Sequence, residues 1–475
     1  MLGKIVAYLP STIVPILVNF VLVFIYAGYM EPGEYGVYNV YLNSISLLYA
    51  VTHSFLQSAA LRFYSVTGMF EDIKEYYSTY YFANLSISAA LAVVLAIVNL
   101  LLGFDWVVVA FAVAVNALYQ FDINVHRLRD KPGAYAFSRL TASFGALAFI
   151  GVCVATFGQI DYWVPIYTFY GAYLFTVIAE FARCVKYLSV RSVSKSLLIE
   201  SIKFGMPMMG VTVAGLLISY SSQYIILFLL SEEAVGFYSL GFRLSDTVIS
   251  NITMIILTVM TPAVMRVYDE SGRDKALNGS KMLTTLINLD IWVVLPVCVL
   301  LAFYSGDIIR LLFPSYEGAQ SVVQIIVFSA VLRSLSMFTC KGLELARETG
   351  RMLVYLLISL IANSSYTFAF TPLYGIDAAG HASVISYLIY NALLIKRSRK
   401  AVPIVFDIAY LGKTAALSMA LVGVAFTLKM LFGAGDILPL VVQGCVCTLL
   451  YLTASLALGM HRPFLKPSEQ RGKGA

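Results

Sequence analysis

The sequence predicts an all-α polytopic membrane protein of about 14 transmembrane helices, and three observations carry that prediction. Of its 475 residues, 60% are hydrophobic and 12% charged, whereas a soluble domain carries about a quarter charged residues. There is too little polar surface to clothe a globule in water. Apolar windows of roughly 20 residues, the length a helix needs to cross the hydrocarbon core, recur about fourteen times. Lys and Arg gather in every second connecting segment. A β-barrel is excluded by unbroken runs such as LSISAALAVVLAIVNLLLG, because barrel strands alternate apolar and polar positions.

The spans follow in order. The first starts near residue 6, after Lys4, and contains Pro10 and Pro15; it has no small-residue cleavage site and is expected to stay as a helix. The stretch EPGEYGVY, Glu31 to Tyr38, reads as an acidic turn into a second span near 38, which exits through ALRFYS with Arg62. After Lys74 the third span begins near 79, and the fourth near 106 follows Asp105 and Trp106. Arg127, Arg129 and Lys131 precede the fifth, near 134; Asp161 and Trp163 mark the start of the sixth, near 162. Arg183, Lys186, Arg191 and Lys195 lead to the seventh, near 204, with Pro207. A second acidic turn, SEEAVGFY at Ser231 to Tyr238, opens the eighth near 236. Arg266, Arg273, Lys275 and Lys281 precede the ninth, near 282. Asp307 and Glu317, with Arg310 as the one basic residue, separate it from the tenth, near 318. Lys341, Arg347 and Arg351 lead to the eleventh, near 352, and Asp377 marks the twelfth, near 376. Lys396, Arg397, Arg399 and Lys400 lead to the thirteenth, near 409; Asp436 precedes the fourteenth, near 437, and a basic tail holds Arg462, Lys466, Arg471 and Lys473. The fourth, sixth and tenth carry internal charges.

Basic connecting segments stay in the cytoplasm, so fourteen spans place both termini there. The net charge of +6 then reflects topology and attraction to anionic lipid, with no need for nucleic acid. The Trp106 and Trp163 rings, with Tyr29, Tyr38 and Tyr238, are expected at the headgroup level. Cys153, Cys184, Cys298, Cys340, Cys445 and Cys447 lack metal-ligand spacing and are expected to be buried packing residues.

The two acidic turns belong to a longer series. ALRFYS (Arg62, Tyr64) matches VMRVYD (Arg266, Tyr268), LRDKPGAY matches LARETGRM, and FGQID matches YGID, with offsets growing from 200 to about 217. Ordered matches predict an internal duplication of six spans. Six is even, so the two halves enter the membrane in parallel. The expected domains are an N-terminal six-helix lobe at 1–200, a second at 201–400, accessory helices at 401–460 and a basic tail at 461–475. Two such lobes enclose a cleft that opens alternately to either side, which implies transport. No loop exceeds about 20 residues, leaving no room for a soluble catalytic domain.

The stretches EYGVYNVY, ALRFYS, KFGMPMMGVTVAGLLISYSSQYIILFLLSEEAVGFYSLGFRLSD, IIRLLFPSYEGA and TPLYGIDAAGHASVISY span most of the first twelve helices. In these the chain resembles the polysaccharide flippases, of O-antigen or capsule repeat-unit type, of the multidrug, oligosaccharidyl-lipid and polysaccharide exporter superfamily. The resemblance implies a bilobed fourteen-helix fold in the inner membrane. It would carry a polyprenyl-diphosphate-linked oligosaccharide from the inner to the outer leaflet for lipopolysaccharide or similar cell-envelope synthesis. The two C-terminal helices would be accessory, with a groove for the lipid tail.

A diphosphate headgroup calls for cations inside the membrane. Arg243, about seven residues into the eighth span, is the first choice, with snorkelling or pairing to Asp246 as the ordinary alternative. Arg333 lies about fifteen residues into the tenth. Arg62 and Arg266 occupy equivalent cytoplasmic exits, where positive-inside anchoring also explains them. Tyr220 and Tyr224, in SYSSQY, are candidates for stacking on sugars. Ion coupling needs an in-span acid or histidine: Asp290, which has no evident local partner, Asp246, Asp122, His53 and His381 are the candidates. A neutral His53 bonded to a neighbouring helix is the simpler reading. Pro10, Pro15 and Pro207 can bend the first and seventh spans.

The sequence therefore predicts a transporter, not an enzyme, with no metal or cofactor and with proton or sodium coupling left open. Its expected partners are the lipid-linked oligosaccharide, membrane lipids and a polysaccharide polymerase or other assembly proteins. The alternatives are a cation-coupled multidrug exporter of the same fold and, in another class, a membrane enzyme of polysaccharide assembly.

Overall fold

The structure is a computed structural model and describes residues 2–66, 73–102, 106–129, 131–270, 274–346, 348–400, 402–433 and 435–461. The tail with Arg462, Lys466, Arg471 and Lys473 lies outside them, as do Asp105, Arg273 and Arg347. Among the described residues are fourteen helices; most start close to the expected positions, but the second, third, seventh and ninth begin earlier, at Pro32, Ile73, Lys195 and Lys275 rather than near 38, 79, 204 and 282. The eighth is continuous from Glu232–Phe242 to Val248–Glu270 through a π turn at Arg243–Thr247. Twelve of the helices are long and apolar enough to cross a membrane. The first contributes a shorter apolar stretch, Ile13–Tyr29. The second, Pro32–Val66, holds Asn39, Asn43, His53 and Gln57, all buried by helix packing.

The repeated acidic motif proves to be a helix start. The second helix begins at Pro32 with Glu34 in its first turn. The eighth is capped by Ser231, whose side chain accepts from the Ala234 amide at 3.1 Å, with Glu232 and Glu233 in its first turn. A capping hydroxyl satisfies an orphan amide, and acids complement the positive end of the helix dipole. Gly36 and Gly236 are buried within these helices and do not make the reversal. Tyr38 and Tyr238 are not headgroup anchors either: they are 6% and 0% exposed. Each sits three residues after a fully buried partner, Tyr35 or Val235, and that spacing puts both on the packed face of the helix. Tyr29, by contrast, is 47% exposed. In the later matched pair the glycines do take a left-handed backbone: Gly158 of FGQID and Gly375 of YGID, at φ 77° and 61°, cap the fifth and eleventh helices.

The chain divides into two compact units, Met1–Tyr220 and Ser221–Ala475, with the division inside the seventh helix, Lys195–Leu229. In the first unit the fifth helix (Pro132–Phe157) packs on the first (Leu2–Tyr29) and the sixth (Trp163–Cys184). The fourth (Val107–Leu128) packs on the second, the third (Ile73–Leu102) and the sixth. Where the second, third and fourth meet, Leu56, Tyr77, Tyr80, Tyr81 and Phe121 form a tyrosine-rich core. The segment between the sixth and seventh helices is tied to the third: the Ser189 and Ser194 amides each donate at 2.9 Å, to Ser78 Oγ and Thr79 Oγ1. Gly205 lets the seventh helix touch the second backbone to backbone, since a Cβ there would clash with the Phe55 carbonyl oxygen. At the other end Tyr41 gathers Trp106, Tyr162 and Trp163 within 4.6–6.0 Å between ring centroids.

In the second unit the tenth helix (Ala319–Leu345) is the centre, packed on the eighth, the ninth (Lys275–Leu312) and the twelfth (Asp377–Ser398). The thirteenth (Ile408–Phe432) docks on the ninth and on the fourteenth (Ile437–Ala457). Tyr304 Oη donates to Gln443 Oε1 at 3.0 Å and Tyr451 Oη to the Trp292 carbonyl at 2.8 Å. Buried Asp307 binds Arg310 at 2.6 Å and Lys429 at 2.5 Å. This pairing accounts for Arg310, the basic residue that broke the charge alternation. Between the tenth and eleventh helices, Glu348 accepts two hydrogen bonds from Arg397, at 2.7 and 2.5 Å. Those bonds hold its carboxyl below the usual carboxylate range. The cysteines depart from expectation: Cys298 and Cys447 are buried, but Cys153, Cys184 and Cys340 are half-buried and Cys445 is exposed. A thiol is small and weakly polar, so it is tolerated on a helix face that meets lipid as well as in a core.

Candidate functional site

The π turn places the first charged cluster of the second unit. Inserting one residue per turn rotates the side chains that follow, and such bulges are frequent at functional sites. Within this one, Arg243 is half-buried and Asp246 is 7% exposed. The pairing within one helix that the spacing allows is superseded by a pairing between helices: Arg333 Nη1 of the tenth lies 2.5 Å from Asp246 Oδ2. Ser250 Oγ donates to the same oxygen at 3.3 Å.

A second carboxylate lies close along the same helices. Asp290 of the ninth is 1% exposed. The sequence offered it no neighbour, yet two hydroxyls from other helices serve it. Thr253 Oγ1 stands 2.9 Å from both Asp290 Oδ1 and Ser334 Oγ, and Ser334 Oγ donates to Asp290 Oδ2. Arg333 and Ser334 are adjacent, so the tenth helix serves both acids at once. The eighth, ninth and tenth helices are thereby joined by two neighbouring polar groups, one holding a guanidinium–carboxylate pair and the other a hydroxyl-bound carboxylate. Buried charges in a membrane are tolerated when paired or hydrogen-bonded in this way.

The SYSSQY patch mainly joins helices. Ser222 Oγ donates to Asn363 Oδ1 of the eleventh helix (Thr349–Tyr374) at 3.3 Å, and Ser239 Oγ to Gln223 Oε1 at 3.2 Å. Such bonds hold transmembrane helices together. Tyr220 and Tyr224 flank the patch, half-buried.

The first unit has a charged cluster of which the sequence reading named only Asp122 as a candidate, counting Arg183 among the basic loop residues. Asp122 is 5% exposed, and its Oδ2 has no hydrogen bond. One turn on, His126 Nε2 lies 3.2 Å from Glu180 Oε2, and Arg183 Nη1 donates to Glu180 Oε1 at 2.6 Å. Glu180 of the sixth helix is 3% exposed. Its signal was the spacing of Asp122 and His126 on one helical face, with an acid near the end of another span. Arg139, seven residues into the fifth helix, was also passed over. His53 Nε2 lies 3.1 Å from Ser88 Oγ of the third helix and Nδ1 2.7 Å from Thr52 Oγ1, the geometry of a bonded interhelical imidazole. His381 is exposed. Arg62 is exposed and its guanidinium lies 4.3 Å over the Phe204 ring, a stack worth about 0.5–1 kcal/mol at such sites. The side chain of Arg266 lies outside those the structure describes.

These helices and charges can be set beside known proteins. Residues 1–267, more than half of the chain, match the family described as "Polysaccharide biosynthesis protein". The chain belongs to that family. The matched region holds Arg62, Asp122, Arg243, Asp246 and Arg266, and ends short of Asp290 and Arg333. Over 247 residues the chain is 22% identical to the probable low-salt glycan biosynthesis flippase Agl15 of Haloferax volcanii, covering 52% of this chain and 51% of that protein. The chain spans about half the length of the curated relatives it matches. Among solved structures it is similar to the lipid II flippase MurJ in an inward closed conformation. The TM-score is 0.75 at 13% identity, over 98% of this chain and 100% of that one. An inward-facing multidrug resistance transporter of the MATE family gives 0.64 at 13% identity, over 86% and 99%. The fold is that of these transporters.

Proposed function

We propose that the chain is a flippase for a lipid-linked oligosaccharide, moving a polyprenyl-diphosphate-linked sugar unit from the cytoplasmic to the outer leaflet by alternating access. The observation that carries this reading is the charge inside the helices of a family member: Arg243 and Arg333 stand within membrane spans beside Asp246. An anionic headgroup crossing the bilayer needs such cations. The relative Agl15 is itself named a glycan biosynthesis flippase and MurJ a lipid II flippase, which supports the substrate class. In this reading the diphosphate competes with Asp246 for Arg333, and Arg243 supplies a second cation. Arg62 and Arg266 serve capture at the cytoplasmic side, and Tyr220 and Tyr224 meet sugar. Asp290 and Asp122 are the acids through which a proton or sodium gradient would act.

The chain would lie in the inner membrane with both termini in the cytoplasm, serving O-antigen or capsule-type repeat units alongside a polymerase. The MATE likeness keeps a multidrug exporter as the second reading. A cationic drug favours an acidic cleft, whereas Asp246 is paired with Arg333 and Asp290 is occupied by hydroxyls.

Deleting the gene in its host tests the reading. Complete lipid-linked oligosaccharides should accumulate on the cytoplasmic leaflet. Truncated oligosaccharides would instead identify an assembly enzyme, and unchanged glycolipids with raised sensitivity to organic cations would identify a drug exporter.

A further inference from the structure

Arg139 stands seven residues into the fifth helix, Pro132–Phe157, within a membrane span and half-buried. Its surroundings resemble those of Arg129, half-buried at the end of the fourth helix and bonded to the Tyr77 phenol at 3.3 Å, and differ from those of two other half-buried arginines. Arg333 and Arg397 pair with Asp246 and Glu348, whereas among the described residues no carboxylate pairs with Arg139. Its neighbours are phenols. Nη1 donates to Tyr135 Oη at 2.9 Å, and the guanidinium carbon lies 5.7 Å from the Tyr135 ring centroid. Tyr119 and Tyr173, stacked at 3.8 Å between centroids, pack in the same cluster as Tyr135. Tyr119 and Tyr135 are 5% and 7% exposed and share a core cluster with Ile123, Ala142 and Val177.

A guanidinium carries five N–H donors, and one phenol oxygen occupies one of them. Ring faces and phenol dipoles compensate part of a buried positive charge, but they bring no negative charge. The chemistry that completes such a site is a planar-faced oxyanion, and phosphate oxygens match the guanidinium fork. Tyr119 and Tyr173, packed in the same cluster as Tyr135, bring two further phenol donors to this part of the fold. The fifth helix starts directly after Arg127, Arg129 and Lys131, a run of cations that draws phosphate toward its first turns.

We propose that Arg139, with Tyr119, Tyr135 and Tyr173, forms a phosphate-binding subsite in the first unit that takes the diphosphate of the lipid carrier. The proposal rests on the flippase reading for the identity of the carrier. It gives the first unit a cation that is not balanced by an acid of its own, in contrast to the Arg333–Asp246 pair of the second.

The test uses the full chain purified in detergent, with farnesyl diphosphate as probe and farnesol and phosphatidylglycerol as competitors, binding being followed by calorimetry. Wild type is expected to bind farnesyl diphosphate and to ignore farnesol. Arg139→Gln should weaken binding by about tenfold or more, the loss expected for charge-assisted hydrogen bonds. Arg139→Lys should recover part of it, and Tyr135→Phe, which keeps the ring and its packing, should cost about threefold. Equal binding by wild type, Arg139→Gln and Tyr135→Phe overturns the subsite and leaves the flippase reading standing. No binding by wild type overturns both. Competition by phosphatidylglycerol at equal strength overturns the assignment to the carrier and makes this an anionic-phospholipid site.

Discussion

Arg333→Ala is expected to destabilise the second unit by about 3 kcal/mol, the low end of the range for removing one partner of a buried ion pair. The low end applies because the Arg333 side chain keeps 26% exposure, whereas that of Asp246 keeps 10%. The cost arises mostly at Asp246, which loses the Arg333 cation and keeps the Ser250 Oγ hydrogen bond at 3.3 Å. A thermal melt in detergent reads the effect. The informative variant is the double one, Asp246→Asn with Arg333→Gln. It removes both charges together and should return stability to within about 1 kcal/mol of wild type, as neutral replacements of buried pairs often do. Flipping by this stable double variant should still fall more than about tenfold if, as proposed, Arg333 is a cation for the diphosphate. A double variant that transports normally would make the pair purely structural.

Gly205→Ala is expected to cost about 1–3 kcal/mol, the range for overpacking a filled contact. The added Cβ would lie 2.2 Å from the Phe55 carbonyl oxygen, a backbone atom that cannot swing aside as a side chain can. The seventh and second helices would have to separate, or one would have to rotate. Gly215, ten residues further along the same helix, is the control: a Cβ there meets nothing within 4 Å. Gly215→Ala should be neutral or stabilise by up to about 1 kcal/mol, since alanine favours helix. Equal melting temperatures for both variants would show that the close crossing does not bear on stability.

The helices were legible because each is written locally, as an apolar run bounded by charges of alternating location. The second helix shows the limit of that rule. Its Asn39, Asn43, His53 and Gln57 lower its hydropathy, and only the neighbouring helices that bury them make it a membrane element. The acidic motifs were visible as repeats, but their reading as turns missed that Tyr38 and Tyr238 share a face with buried neighbours.

At the site, single charged residues were legible and their pairings were not. Asp246 has Arg243 nearby in sequence, yet it binds Arg333, 87 positions away. Asp290 finds Thr253 and Ser334, 37 and 44 positions away. Hydroxyl residues are too common in these helices for sequence alone to single out those two. Arg139 was hidden differently: it follows Arg127, Arg129 and Lys131 so closely that it merged with a basic loop. Glu180, beside Arg183, was likewise absorbed into the charge pattern at a span end.

The central claim is that this chain moves an anionic lipid-linked sugar across a bilayer, and reconstitution measures that directly. Proteoliposomes of known orientation would carry a fluorescent polyprenyl-diphosphate sugar, with an impermeant quencher reporting its leaflet. An inside-negative potential contributes about 2.3 kcal/mol per charge for each 100 mV toward outward movement of an anion, or toward return of an empty cationic site. The account predicts protein-dependent flipping that accelerates under a potassium diffusion potential at fixed pH and without sodium. Flipping that ignores the potential and follows a proton or sodium gradient would contradict the electrical part and shift coupling to Asp290 or Asp122. No protein-dependent movement of the glycolipid, with transport of an organic cation in the same vesicles, would contradict the claim itself.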